Sequence, residues 1–207
     1  MNIIKEDNVQ KCIDNEKKKI AYYISNLKYN SILNKEYCIK NLIKENICDW
    51  IIKNVEEYAL ENKWTNNRHK SYPTKDIPIK NIVKIYNYIN NVIYQNIFDI
   101  ASKKYNLDKY FMSCEDCFIV KYEHDGQNEL KMHKDGSLIS FNILLNNKDE
   151  FEGGGTIMQN EGKNIIYEID KGDILIHCGQ KYHGGKKIKK GIRYILVGFI
   201  TYINMHL

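Results

Sequence analysis

The stretch LKMHKDGSLISFNILLNNKDEFEGGGTIM, residues 130–158, decides the fold. A short polar-apolar run is followed by the apolar-rich Leu138–Leu145, then by the turn formers of NNKDEFEGGG, and then by a second short run from Thr156. A period near two, interrupted regularly by Asn, Asp and Gly, is the pattern of short strands joined by tight connections. Working outward, the same pattern predicts strands over Cys117–Glu123, Glu129–Met132, Leu138–Leu145, Thr156–Gln159, Asn164–Ile169, Asp173–His177, Gly184–Ile188 and Tyr194–Tyr202. About eight short strands within some ninety residues fit a sandwich or jelly-roll barrel.

The preceding residues are built differently. All 12 glycines lie at Gly126 or later, and none occurs in the first 125 residues. There the apolar residues step by three and four. Ile39, Leu42, Ile43, Ile47, Trp50, Ile51, Val55 and Tyr58 predict a helix from Lys35 to about Glu61, with Asn34 as N-cap. A weaker pattern predicts a helix over Val9–Leu27, and Ile82, Ile85, Ile89, Val92 or Ile93, Ile97 and Ile100 predict another over Lys80–Ala101. Between the last two lies WTNNRHKSYPTKDIPI, which holds both prolines, Pro73 and Pro78, and is expected to cross the fold as an extended connection. The expected fold class is α+β: a double-stranded β-helix (jelly-roll) core at 114–203 with supporting helices at 1–113, forming a single domain over 1–207.

Composition narrows the function classes. With 43% hydrophobic and 28% charged residues the chain has the balance of a globular protein. No apolar run approaches the roughly 18 residues that span a membrane, and the first twenty residues hold no signal-peptide core. A cytoplasmic protein with six reduced cysteines and no membrane partner is expected. Cys114 and Cys117 form a lone CxxC whose flanks look like entry into a strand, so both are read as structural. The net charge of +5 is diffuse and permits nucleic-acid contact without requiring it. Of the 31 basic residues only Arg68 and Arg193 are arginines, which suggests sites where the planar guanidinium fork does what lysine cannot.

His133 and Asp135 stand two residues apart at the end of a predicted strand, where both side chains project from one face. A second histidine from the hairpin about fifty residues later completes a two-histidine, one-carboxylate set. That set covers one face of an octahedral metal and leaves positions open, as in non-haem Fe(II) oxygenases; a zinc hydrolase can use the same ligand types. His177 and His183 both qualify by proximity. The reading favours His183, because Arg193 follows ten residues later on the returning strand, placed to hold an acidic co-substrate that chelates the metal.

FIVKYEHDGQNELKMHKDGSLISFNILLNN, FEGGGT and KGIRYILVGFI resemble, segment by segment, the catalytic domain of 2-oxoglutarate- and Fe(II)-dependent prolyl and lysyl hydroxylases, procollagen lysyl hydroxylase above all. YPTKDIPI looks like a further element of that family, so the resemblance spans about 140 residues, Trp64 to Ile203. The resemblance implies that His133, Asp135 and His183 hold Fe(II) and that Arg193 clamps the distal carboxylate of 2-oxoglutarate. It places Tyr122, Asn142, Thr156 and Arg68 as further co-substrate contacts. It also implies O2 and ascorbate as cofactors, and hydroxylation of a lysyl or prolyl side chain in a protein or peptide, with release of succinate and CO2. The family members that modify collagen carry large N-terminal glycosyltransferase-like regions for which 207 residues have no room, so collagen is not the expected substrate. The alternatives are a nucleic-acid base demethylase or hydroxylase of the same chemistry, and a non-catalytic jelly-roll binding protein.

Overall fold

The computed structural model describes residues 6–26, 31–69 and 71–203. Helix α1 spans Glu6–Ser25, strand β1 Tyr37–Ile39, α2 Glu45–Asn62 and β2 Asp76–Pro78. Helices α3, Val83–Val92, and α4, Phe98–Tyr105, follow; β3, Met112–Glu123, then opens the all-strand part. It continues with β4 Leu130–His133, β5 Ile139–Leu144, β6 Phe151–Gly153, β7 Thr156–Asn160, β8 Lys163–Tyr167, β9 Ile174–Cys178, β10 His183–Gly185 and β11 Ile188–Tyr202. The strands form two antiparallel sheets. The larger runs β1-β9-β5-β11-β3-β2, with β6 also paired to β11, and the smaller runs β4-β10-β7-β8.

Alternation along the strands of the larger sheet separates two sets of buried residues. On β5, Ile139, Phe141 and Ile143 join the helices in one apolar cluster, while Leu144 belongs to a second cluster with Phe118, Val120, Tyr122, Leu175 and Ile195. The helices therefore cover the outer face, and the inner face turns toward the smaller sheet. Ile51, Val55, Ile85, Ile89, Ile97 and Ala101 are fully buried against that outer face. Each large aliphatic side chain buried there contributes about 1.5–3 kcal/mol, which is what holds short helices in place. Where β5 and β11 pair, Phe141 lies directly over Gly198, and a Cβ there would approach the Phe141 ring to 2.2 Å.

The expected helix from Lys35 starts ten residues too early. Tyr37–Ile39 instead pairs with Ile174–Ile176 as the edge strand β1, and the backbone oxygen of Asn34 accepts a hydrogen bond from Lys181 rather than Asn34 capping a helix. The apolar spacing of Ile39, Leu42 and Ile43 misleads because an edge strand and the loop after it meet the same core as the helix. The third expected helix extends from Val83 to Tyr105 with a π turn at Ile93–Ile97. That one wide turn lets both Val92 and Ile93 face the core. The predicted first helix lies at Glu6–Ser25, and Leu27 is outside the described residues. WTNNRHKSYPTKDIPI does not run extended across the fold as expected: Thr65 pairs antiparallel with Asp76, so the segment returns on itself before ending in β2 against β3.

All six cysteines are free, and burial raises the Cys117 thiol well above its ordinary range, as a structural role requires. No helix among the described residues is long and apolar enough to cross a membrane.

Candidate metal centre

Strands β4 and β10 bring two histidines face to face, with His183 directly opposite His133 in the register. Each ring is oriented by a carbonyl two residues earlier in its own strand or turn. His133 Nδ1 lies 2.8 Å from the Lys131 oxygen, and His183 Nδ1 lies 2.9 Å from the Lys181 oxygen. A carbonyl only accepts, so each Nδ1 carries the proton and each Nε2 turns its lone pair inward. Both Nε2 atoms converge on Asp135, at 3.2 Å from Oδ1 and from Oδ2 respectively. The three ligand atoms lie within 4.8 Å of one another, and all three residues are buried.

Asp135 is itself held on several sides. Its N–H donates to the Gly179 oxygen at 2.8 Å, its carbonyl accepts from Gln180 at 2.7 Å, and Ser140 donates to its carboxylate. Burial opposes ionisation of Asp135, yet the two facing imidazoles of His133 and His183 together outweigh it and hold the carboxyl well below its usual range. Burial likewise disfavours a charged His183, but Asp135 overrides that and raises it. Two imidazole lone pairs and one carboxylate converging in a buried site form a donor set fitted to a divalent cation. His177 is also in the cavity, its ring 4.5 Å from that of His183, but it stands outside the cluster. Its Nδ1 is 3.0 Å from the Cys178 oxygen, and burial pushes its pKa down to about 3.

The three ligands open into a cavity of about 310 Å³ between the two sheets. Arg193, 3% exposed, closes one end opposite Tyr122 in the β11–β3 register, its guanidinium 5.6 Å from the Tyr122 ring. No ion pair joins Arg193 to a carboxylate among the described residues, and burial pulls its pKa below the ordinary value despite Tyr122 and Glu168. Such a buried, unpaired cation calls for an anion. Gly154 explains part of FEGGGT: its φ is +75°, and a Cβ there would meet Arg193 Cδ at 3.0 Å. Thr156 and Asn142 line the same cavity, and Asn142 Oδ1 is buried without a partner.

Arg68 is elsewhere. Its fork binds Asp76 at 2.6 Å and Asp116 at 2.5 Å and lies over the Phe118 ring, and it does not line the cavity. Both of its hydrogen-bonding edges are taken by carboxylates, so it stands apart from the cavity in which the expected co-substrate contact would lie. Arg68 instead anchors the connection whose neighbours His69 and Tyr72 reach the cavity. Tyr72 stacks on His133 with centroids 4.7 Å apart. Sequence reasoning misses Tyr72, His69 and Ser140, because nothing in their spacing marks them; only the turn at Pro73 hints that this segment folds back.

No family model matches the chain. In an alignment of 178 positions that covers 77% of this chain, it is 31% identical to human procollagen-lysine,2-oxoglutarate 5-dioxygenase 2, and it spans only 22% of that protein. Among solved structures, a prolyl hydroxylase from Trichoplax adhaerens, in complex with a peptide fragment of the hypoxia inducible factor oxygen degradation domain, superposes with a TM-score of 0.65 at 13% identity, covering 96% of this chain and 94% of that one. The viral collagen prolyl hydroxylase from Paramecium Bursaria Chlorella virus-1 gives a TM-score of 0.56 at 18% identity, covering 80% and 94%.

Proposed function

Because the chain belongs to the 2-oxoglutarate- and Fe(II)-dependent oxygenases, as a homologue of one region of the procollagen lysyl hydroxylases, we propose that it hydroxylates a lysyl or prolyl side chain of a protein or peptide. One observation carries the reading: the His133, Asp135 and His183 cluster and the unpaired, buried Arg193 share a single cavity. In this proposal His133 Nε2, the Asp135 carboxylate and His183 Nε2 hold Fe(II). Arg193 receives the distal carboxylate of 2-oxoglutarate, with Tyr122, Thr156 and Asn142 beside it. A charge-assisted pair of this kind contributes about 1.5–3 kcal/mol. When bound, Fe(II) would activate O2, the oxidant, whose one oxygen atom would go into succinate as 2-oxoglutarate is oxidatively decarboxylated with loss of CO2 and whose other would hydroxylate the target C–H position. Ascorbate, as a reductant that keeps iron ferrous, belongs to the same proposal.

The chain's own residues do the positioning. The Lys131 and Lys181 carbonyls fix both imidazole tautomers, and Ser140 and Gln180 fix Asp135 through its carboxylate and its backbone carbonyl. Phe118, Val197 and Phe199 line the cavity toward the end remote from Arg193, where His69 and Tyr72 also lie. Phe199 and Arg193 stand six residues apart on one face of β11, about 20 Å in extended chain. That separation leaves room for a co-substrate at one end and a target side chain at the other, and the apolar walls exclude water between them.

The relatives' names, procollagen-lysine dioxygenase and collagen prolyl hydroxylase, weigh against setting collagen aside, so collagen-type peptides are the first substrates to try. A nucleic-acid substrate has less support. Of the lysines after His183, Lys186 pairs with Glu168 at 3.1 Å and Lys190 with Glu152 at 2.8 Å, which neutralises part of the basic patch. The test is anaerobic titration of the purified protein with Fe(II) and then 2-oxoglutarate. A visible charge-transfer band that is lost in His183→Ala supports the assignment; a folded protein without a band refutes it.

A further inference from the structure

His133 and His183 are oriented alike, but the carbonyls that orient them are supported very differently. Lys131, which holds His133, is exposed. Lys181, which holds His183, is 4% exposed, and its ammonium group makes a buried ion pair with Glu36. That ammonium also donates to Asn160 Oδ1 and to the Asn34 oxygen at 2.8 Å, so its three protons meet three acceptors. Glu36 in turn accepts from the Tyr167 hydroxyl at 3.1 Å, and the Lys181 N–H donates to the Cys178 oxygen at 3.2 Å. The residue whose carbonyl fixes His183 is thus tied to the segment before β1, to the end of β7 and to β8. Placing a bare ammonium there would be unfavourable, so the cluster holds the 178–183 turn in one conformation.

We propose that the buried Lys181–Glu36 pair is a positioning device for His183 and sets the affinity of the site for its divalent cation. The inference rests on the reading of His133, Asp135 and His183 as metal ligands. Neither residue belongs to the His133, Asp135 and His183 cluster or lines the cavity; both act through the Lys181 carbonyl on His183 Nδ1. Partners that orient a ligating histidine typically change metal affinity about 10- to 100-fold when altered.

The test measures Co(II) binding to the whole protein by calorimetry and by its visible ligand-field spectrum. Glu36→Gln is the mild variant, since Lys181 keeps its other two acceptors. Glu36→Gln combined with Lys181→Met removes both charges and leaves neither stranded. Lys171→Met is the control, because Lys171 also makes an ion pair while largely buried, with Asp49 at 2.5 Å, but is linked to no ligand. The expected result is a Co(II) dissociation constant raised about 10- to 100-fold in both Glu36 variants, with an altered ligand-field band. Lys171→Met should lose thermal stability and keep the parent's affinity. Affinity within twofold of the parent in both Glu36 variants would overturn the inference while leaving the metal site intact. Failure of the parent itself to bind Co(II) would overturn the metal reading and this inference with it.

Discussion

Replacing Arg193 with methionine separates the cost of this residue from its use. The side chain is 3% exposed and has no carboxylate partner among the described residues, so the co-substrate-free protein carries a desolvated charge. The effective penalty for such a charge is several kcal/mol, while the attraction between the guanidinium and the Tyr122 ring contributes about 0.5–2 kcal/mol. Methionine fills similar space beside Gly154 without the charge. Arg193→Met should therefore melt at or above the parent's temperature when no co-substrate is present. Binding of 2-oxoglutarate should weaken by about 10- to 160-fold, from 1.5–3 kcal/mol at 1.36 kcal/mol per tenfold. Differential scanning calorimetry measures the first quantity, and titration of 2-oxoglutarate into Co(II)-loaded protein the second. A variant that is destabilised by more than about 2 kcal/mol yet binds 2-oxoglutarate like the parent would refute the argument.

His133→Ala and Asp135→Ala should each abolish turnover and metal binding in a folded protein; retained activity in either removes that residue from the ligand set. Gly198→Ala should destabilise the fold by about 1–3 kcal/mol in a denaturant melt, because its Cβ would lie 2.2 Å from the Phe141 ring and both sit in paired strands. His177 is held neutral by burial, with its pKa moved from 6.5 to about 3. Below about pH 6.5 the unfolded chain takes up a proton at this position that the folded chain refuses, so stability falls as pH drops toward 3, by at most about 1.4 kcal/mol per unit. His177→Leu should flatten that part of the metal-free stability profile, and an unchanged slope would show that His177 is not its source.

Much of this is legible in the chain. Short apolar runs bounded by turn residues locate β5 and β9, which are buried at every position and so read as continuous stretches, while alternation helps to locate β7 and most of β11. His133, Asp135 and His183 are legible because two stand two residues apart and the third lies ten residues before Arg193, although His183 reaches the site by pairing with β4 and β7 in the smaller sheet and not with the strand that carries Arg193. The structure brings those four together, with Tyr122, Asn142 and Thr156 beside them. Arg68 misleads because its partners, Asp76 and Asp116, lie 8 and 48 residues away and leave no local trace. The Lys181–Glu36 pair spans 145 residues and is equally invisible. Tyr37–Ile39 reads as helix because three residues are too few to show a period, and the core they touch is the one α2 also packs against.

Strand β11 runs 15 residues and pairs with β3, β5 and β6. Its partners in β3 lie up to ninety positions earlier, Met112 meeting Tyr202 and Tyr122 meeting Arg193. Contacts so remote close large loops, which makes them slow to form and leaves the neighbouring strand edges open until they do. During synthesis the ribosome releases β3 and β5 well before the strand that must lie between them. The Arg193 end of the cavity therefore assembles last, and a nascent chain short of β11 exposes two unpaired edges. Folding yield, more than native stability, is where damage to this strand should be felt first.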